Sequence, residues 1–147
     1  MKQVSRSALV SFSAEQMYNL VNDVASYPDF LPGCSGSRIL ESSTGAMVAS
    51  VDVSKAGISK TFTTSNELSP GESIVMSLVD GPFKMLKGGW FFTALDEQAC
   101  KVELKLEFEF SSKMIEMAFG KVFNELTSNM VNAFTQRAKQ VYECYEY

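Results

Sequence analysis

Hydrophobic positions recur along this chain with two different periods, and the change of period divides it into three parts. Val4, Ala8, Val10 and Phe12 share one face of the segment Val4 to Phe12, with Arg6 interrupting the apolar set, so the chain opens on a strand. Ser13 stands three residues before Gln16, a capping-box pattern, and opens a short helix through Val24. Met17, Leu20, Val21 and Val24 give that helix one apolar face. Pro28 and Pro32 bound a second short helical or turn segment, Tyr27 to Leu31.

From Ser37 the period becomes two. Met47, Ala49, Val51 and Val53 alternate with Val48, Ser50, Asp52 and Ser54. The turn Lys55-Ala56-Gly57 leads into Ile58 to Leu68, and Pro70-Gly71 into Ser73 to Val79. Gly81-Pro82 breaks that strand, and Gly88-Gly89 precedes another from Trp90 to Leu95. After a turn at Asp96 to Ala99, Lys101 to Phe110 sets Val102, Leu104, Leu106, Phe108 and Phe110 on one face. Lys101, Glu103, Lys105, Glu107 and Glu109 take the other, which describes an antiparallel strand with one wet face.

The last third returns to helical spacing. Phe119, Phe123, Leu126, Met130, Phe134, Ala138, Val141 and Tyr145 form one stripe along a helix starting near Ser112 or Lys113, with Gly120 as its weak point. A one-faced sheet and a one-faced long helix must bury their apolar sides, and each is the only partner of adequate size for the other. The expected fold is α+β: a curved antiparallel sheet of about seven strands wraps the C-terminal helix, with two short helices after the first strand. Residues 1–147 form one domain. A sheet curled in this way predicts an apolar gap beside the helix, where function is to be sought.

Composition narrows the chemistry. There is no histidine, which removes the commonest general base and metal ligand, along with Ser-His and Cys-His nucleophile pairs. Cys34, Cys100 and Cys144 are far apart and form no CxxC, so they read as free thiols in a reducing cytosol, with no metal site. The carboxylates Asp23, Asp29, Glu67, Asp80, Asp96 and Glu97 show no pairing for acid-base work, and Ser54-Lys55, Ser59-Lys60 and Ser112-Lys113 read as surface neighbours. A net charge of −4 argues against a nonspecific nucleic-acid binder, though not against a local basic patch, and no specific DNA binding is expected. Met1 to Arg6 leads into alternation and no stretch approaches a membrane span, so the expectation is a cytoplasmic protein, at most peripheral to a membrane. Binding without catalysis is the expected activity, with no covalent or metal cofactor.

Aromatic and thioether side chains are the candidate cavity residues, since methionine adapts its shape and rings offer stacking faces. Tyr27, Phe30 and Leu31 are assigned to a lid, and Met76, Leu78, Trp90 and Phe92 to a sheet wall. Phe83 and Leu86 are placed at the mouth and Met117 on the helix. The segment Gly81 to Gly89 mixes apolar residues with Lys84 and Lys87 and is expected to be a loop touching a membrane surface or another macromolecule.

Several blocks together resemble one family. Tyr27-Pro28-Asp29-Phe30-Leu31-Pro32-Gly33-Cys34 is similar to the YPxFLPxC signature of START-like proteins grouped as coenzyme Q-binding proteins and bacterial ribosome-association toxins. Val51 to Lys60, Val79 to Lys84, Gly88-Gly89-Trp90 and Ala118 to Phe123 continue the likeness along nearly the whole chain. Gly33 stands where coenzyme Q-binding members often carry Trp, which places the chain nearer the toxin branch. The resemblance implies a helix-grip fold and a hydrophobic small molecule, ubiquinone or a related lipid, held in support of respiration. It implies as the alternative a toxin that binds the large ribosomal subunit and blocks subunit joining, for which Lys55, Lys60, Lys84 and Lys87 are the candidate contacts. Polyketide cyclase-like chemistry is a third implication that the missing histidine disfavours.

Overall fold

A computed structural model describes residues 2–55 and 57–142. Ala56, Cys144 and Tyr145, which figured in the turn, thiol and stripe assignments, lie outside the described residues. The elements are β1 (Lys2–Val10), α1 (Ala14–Asn22), a 3₁₀ helix (Val24–Asp29), β2 (Cys34–Ser43), β3 (Ala46–Lys55), β4 (Ile58–Ser69), β5 (Ser73–Asp80), β6 (Phe83–Asp96), β7 (Ala99–Phe110) and α2 (Lys113–Tyr142). The strands form one antiparallel sheet in the order β1-β7-β6-β5-β4-β3-β2, a meander with the first strand added beside the last.

Local chemistry explains each junction. The Ser13 hydroxyl accepts from the Gln16 amide at 3.0 Å while the Ser13 amide donates to the Gln16 side chain at 2.9 Å, so α1 begins on a reciprocal cap. Tyr27, buried in the 3₁₀ helix, donates its hydroxyl to the Val21 carbonyl at 2.5 Å and ties the two short helices together. The strict alternation of β7 appears as burial of Val102, Leu104, Leu106, Phe108 and Phe110 on the concave face. α2 runs unbroken through Gly120 and buries Phe119, Phe123, Leu126, Phe134 and Ala138 against that face, as its spacing requires.

One expected break is absent. The chain turns at Gly81-Pro82 as expected, but Phe83 to Gly89 is not a loop: β6 is continuous from Phe83 to Asp96. The two glycines are needed for close strand approach, because a Cβ at Gly88 would sit 2.0 Å from the Lys105 carbonyl oxygen and one at Gly89 2.4 Å from that of Ile74. Gly88 also has φ +145°, a conformation side chains rarely adopt. A glycine pair that reads as a breaker therefore lets the sheet bend without ending the strand.

At the far edge, the convex face carries an ion pair and a hydrogen bond across β2, β3 and β4. The Arg38 guanidinium donates to Asp52 at 2.5 Å, and Thr61 donates to the other carboxylate oxygen at 2.6 Å. The Thr61 hydrogen bond first, and Arg38 second, hold the Asp52 carboxyl below its ordinary value of 3.8. A lowered folded-state pKa means that the stabilisation is complete above the unfolded value and is lost as pH falls through the folded one. Acid titration of unfolding should show that loss below about pH 4, and Asp52→Asn should flatten it; an unchanged acid limb in the variant would contradict this role.

Gly88→Ala should cost at least about 3 kcal/mol in urea unfolding, combining backbone strain with a clash against rigid backbone. Gly57→Ala, where φ is +82° but nothing lies within 4 Å, should cost only about 1–2 kcal/mol. Equal losses would show that the glycine pair does not set the strand approach.

Candidate functional site

The space between sheet and α2 is narrow. An interior cavity of about 60 Å³ lies between them. Tyr27 and Leu31 close it from the 3₁₀ region, Met76, Leu86 and Trp90 contribute from β5 and β6, and Leu104 and Leu106 from β7. Five of the ten cavity residues assigned from sequence thus belong to its wall.

The other five do not. Phe30 packs outside, edge-on to Tyr27 at 6.2 Å and Phe134 at 5.1 Å, with the Arg137 guanidinium 5.0 Å above its ring. Phe83 is locked in an aromatic cluster, stacked on Phe110 at 5.3 Å and edge-on to Phe123 at 4.9 Å, rather than standing at a mouth. Phe92 is buried against Tyr18 of α1. Leu78 is half-buried beside Gly81. Met117 is 86% exposed, because the inward stripe of α2 runs through Phe119 and Phe123 and leaves position 117 facing solvent.

Sequence reasoning missed much of the wall. β3 supplies Ala49 and Val51, β4 supplies Phe62, Thr64 and Asn66, and α2 supplies Phe123, Leu126, Thr127 and Met130. Met47, Ala49 and Val53 alternate visibly, so the inward face of β3 could have been read. Thr64 and Asn66 could not, since polar residues on a strand signal the wet side.

Those residues form the cavity's polar edge. Thr64 donates to Asn66 Oδ1 at 2.8 Å, and Thr127 donates to the Phe123 carbonyl within its own helix at 3.1 Å. Asn66 is 6% exposed, and its Nδ2 has no hydrogen-bond partner among the described residues. The wall contains no carboxyl, amine or thiol. Burial, followed by Cys34 and Asp23, raises the Tyr27 phenol well above its ordinary value, so it stays protonated and serves as a hydrogen-bond donor. No group of three His, Cys, Asp or Glu is placed to hold a metal ion among the described residues.

Volume decides what this space can take. An engineered cavity of roughly 150 Å³ lined by aliphatic and aromatic groups is an example that admits benzene. At about 60 Å³ the interior is smaller than that, and far below a prenylated ring.

The four lysines assigned to a partner surface fall on two faces. Lys84 pairs with Glu109 at 3.7 Å and Lys87 with Glu107 at 3.8 Å, and both carboxylates lie on the convex side of β7. Lys55, at the end of β3, pairs with Glu125 of α2, and Lys60 lies opposite Val53 on β4. They are not one patch.

Comparison with known proteins places this architecture. A family model described as polyketide cyclase / dehydrase and lipid transport matches residues 10–135. The chain belongs to that family. Within it, the chain is 84% identical over 142 residues to the Ribosome association toxin RatA of Vibrio cholerae, covering 97% of this chain and 99% of that one. A Xenopus laevis protein named Coenzyme Q-binding protein COQ10 homolog B, mitochondrial, is 28% identical over 144 residues, covering 95% of this chain and 59% of that one. The Zhui aromatase/cyclase from Streptomyces superposes with a TM-score of 0.83 at 21% identity over 95% of this chain and 94% of that one, a likeness of fold. The START-like architecture and the nearness to the toxin branch expected from sequence are both found.

Neither buried thiol is poised to react. Burial raises Cys34 and lifts Cys100 to about 11. Both should resist iodoacetamide at pH 8 in the folded protein and react on unfolding. Rapid alkylation of the native protein at either residue, mapped by peptide mass, would contradict their enclosure.

Proposed function

We propose that this protein associates with the large ribosomal subunit and hinders subunit joining, acting by binding and without catalysis, in the cytoplasm. The observation that carries the reading is the 84% identity over nearly the full length of a chain named for ribosome association. An identity of 84% over 97% of the chain supports a shared role, whereas the 28% likeness to a coenzyme Q-binding protein supports chiefly a common fold. The small interior supports the same choice, since a filled core leaves the exterior as the working surface. A cavity wall without carboxyl, amine or thiol among the described residues supports binding over cyclase chemistry.

A second reading draws on one observation, the unpartnered Asn66 amide at the edge of an apolar space. An amide donor lining the space suits an apolar guest carrying one acceptor oxygen, such as a quinone or lipid carbonyl, entering as the walls open.

Density-gradient sedimentation of ribosomes with added protein tests the first reading. The protein should migrate with large subunits, and the 70S fraction should fall. Unchanged 70S levels with the protein left at the top of the gradient would reject it. Ala49→Val fills part of the cavity from a residue that is 3% exposed. It should leave subunit binding intact and change stability by less than about 1.5 kcal/mol. Loss of subunit binding with a native melting curve would favour the guest-dependent reading.

A further inference from the structure

We infer that the solvent-facing side of α2, anchored at a groove between Phe30 and Arg137, is an RNA-docking surface; the inference rests on the ribosome-association reading above. Charge is the first argument. α2 carries Lys113, Lys121, Arg137 and Lys139 against Glu116 and Glu125, in a chain whose net charge is −4. Both carboxylates are occupied by cations from the sheet: Glu116 by Lys2 at 3.7 Å, and Glu125 by Lys55. Lys113, Arg137 and Lys139 form no ion pair among the described residues, while Lys121, one turn before Glu125 on the same helix, shares that carboxylate with Lys55. On the convex face every one of these lysines has a carboxylate partner, Lys84 with Glu109, Lys87 with Glu107, and Lys101 and Lys105 sharing Glu103. The described part of α2 thus carries more cations than carboxylates, and Arg137 and Lys139 flank the groove on its two sides, an arrangement that a phosphate backbone complements.

Side-chain chemistry is the second argument. The groove holds about 290 Å³ and is lined by Phe30 and Arg137 together with Asn132, Gln136 and Gln140. The guanidinium lies 5.0 Å over the phenyl ring, which keeps its donors free for phosphate and offers a stacking plane to a splayed base. Asn132, Gln136 and Gln140 recur every four residues, so they form one row, and their amides make no hydrogen bonds among the described residues. Rows of free amides beside arginine and an aromatic ring read base edges and ribose hydroxyls in single-stranded or irregular RNA. A lipid surface would use the exposed Met114 and Met117 at the other end of the helix, but would desolvate the amide row without return.

The test measures binding of the full chain to purified large subunits, to deproteinised large-subunit RNA and to anionic phospholipid vesicles across a salt series. R137E/K139E, with the wild-type melting temperature, should weaken binding to subunits and RNA at least about tenfold and lower the log–log salt slope by about two. K84E/K87E on the convex face should stay within about twofold of wild type. Wild-type binding to subunits that R137E/K139E retains would overturn the surface and leave ribosome association standing. RNA binding lost in the variant, without any subunit binding by wild type, would do the reverse. Wild type bound to neither subunits nor RNA overturns both. Vesicle binding that disappears in R137E/K139E while RNA binding persists would reassign the face to lipid.

Discussion

Phe123 of α2 contacts the rings of Phe62, Phe83, Phe108, Phe110 and Phe119 at 4.9–6.1 Å, bringing β4, β6, β7 and the helix to one point. Burying one such side chain contributes about 1.5–3 kcal/mol, and each well-oriented ring pair adds about 0.5–1.5 kcal/mol. Phe134 repeats the arrangement one half-helix later, edge-on to Trp90 at 5.2 Å and Tyr27 at 5.3 Å. These two clusters hold the sheet's curvature, because a flat sheet could not place β4 and β7 against the same helix side chain.

The same packing displaces function outward. With phenylalanines filling the concave face, the residual cavity is small, and the polar groups of its wall are the Asn66 amide and the internally bonded hydroxyls of Tyr27, Thr64 and Thr127. The exterior divides instead. The convex face is a ladder of lysine–glutamate contacts, each contributing at most about 1 kcal/mol, in which each lysine is held by a carboxylate. The outer side of α2 has its carboxylates drawn off by Lys2 and Lys55. Helix and sheet therefore share one interior but present different faces to a polyelectrolyte.

What could be read from sequence was periodicity. The alternation of β7, the stripe of α2 and the Ser13–Gln16 cap each follow from a local rule, and each is found. Register was not readable. Lys84 and Lys87 stand in a segment that looks like a basic loop, and only the pairing of β6 with β7 sets them against Glu109 and Glu107. Gly88 and Gly89 look like a break for the same reason, since their role is an approach to neighbouring strands. Met117 differs from Phe123 only in direction, and a one-position error in helix phase moves a side chain from core to solvent. The fold was thus legible from apolar spacing, while the candidate surfaces depended on partners distant in sequence.

Native mass spectrometry of the protein purified from cells, kept in a volatile buffer, tests the central claim that the interior is too full to carry a guest. The account predicts a single species at the chain mass of 16.2 kDa with no lipid or quinone adduct. A stoichiometric adduct of several hundred daltons, released only on unfolding, would contradict it.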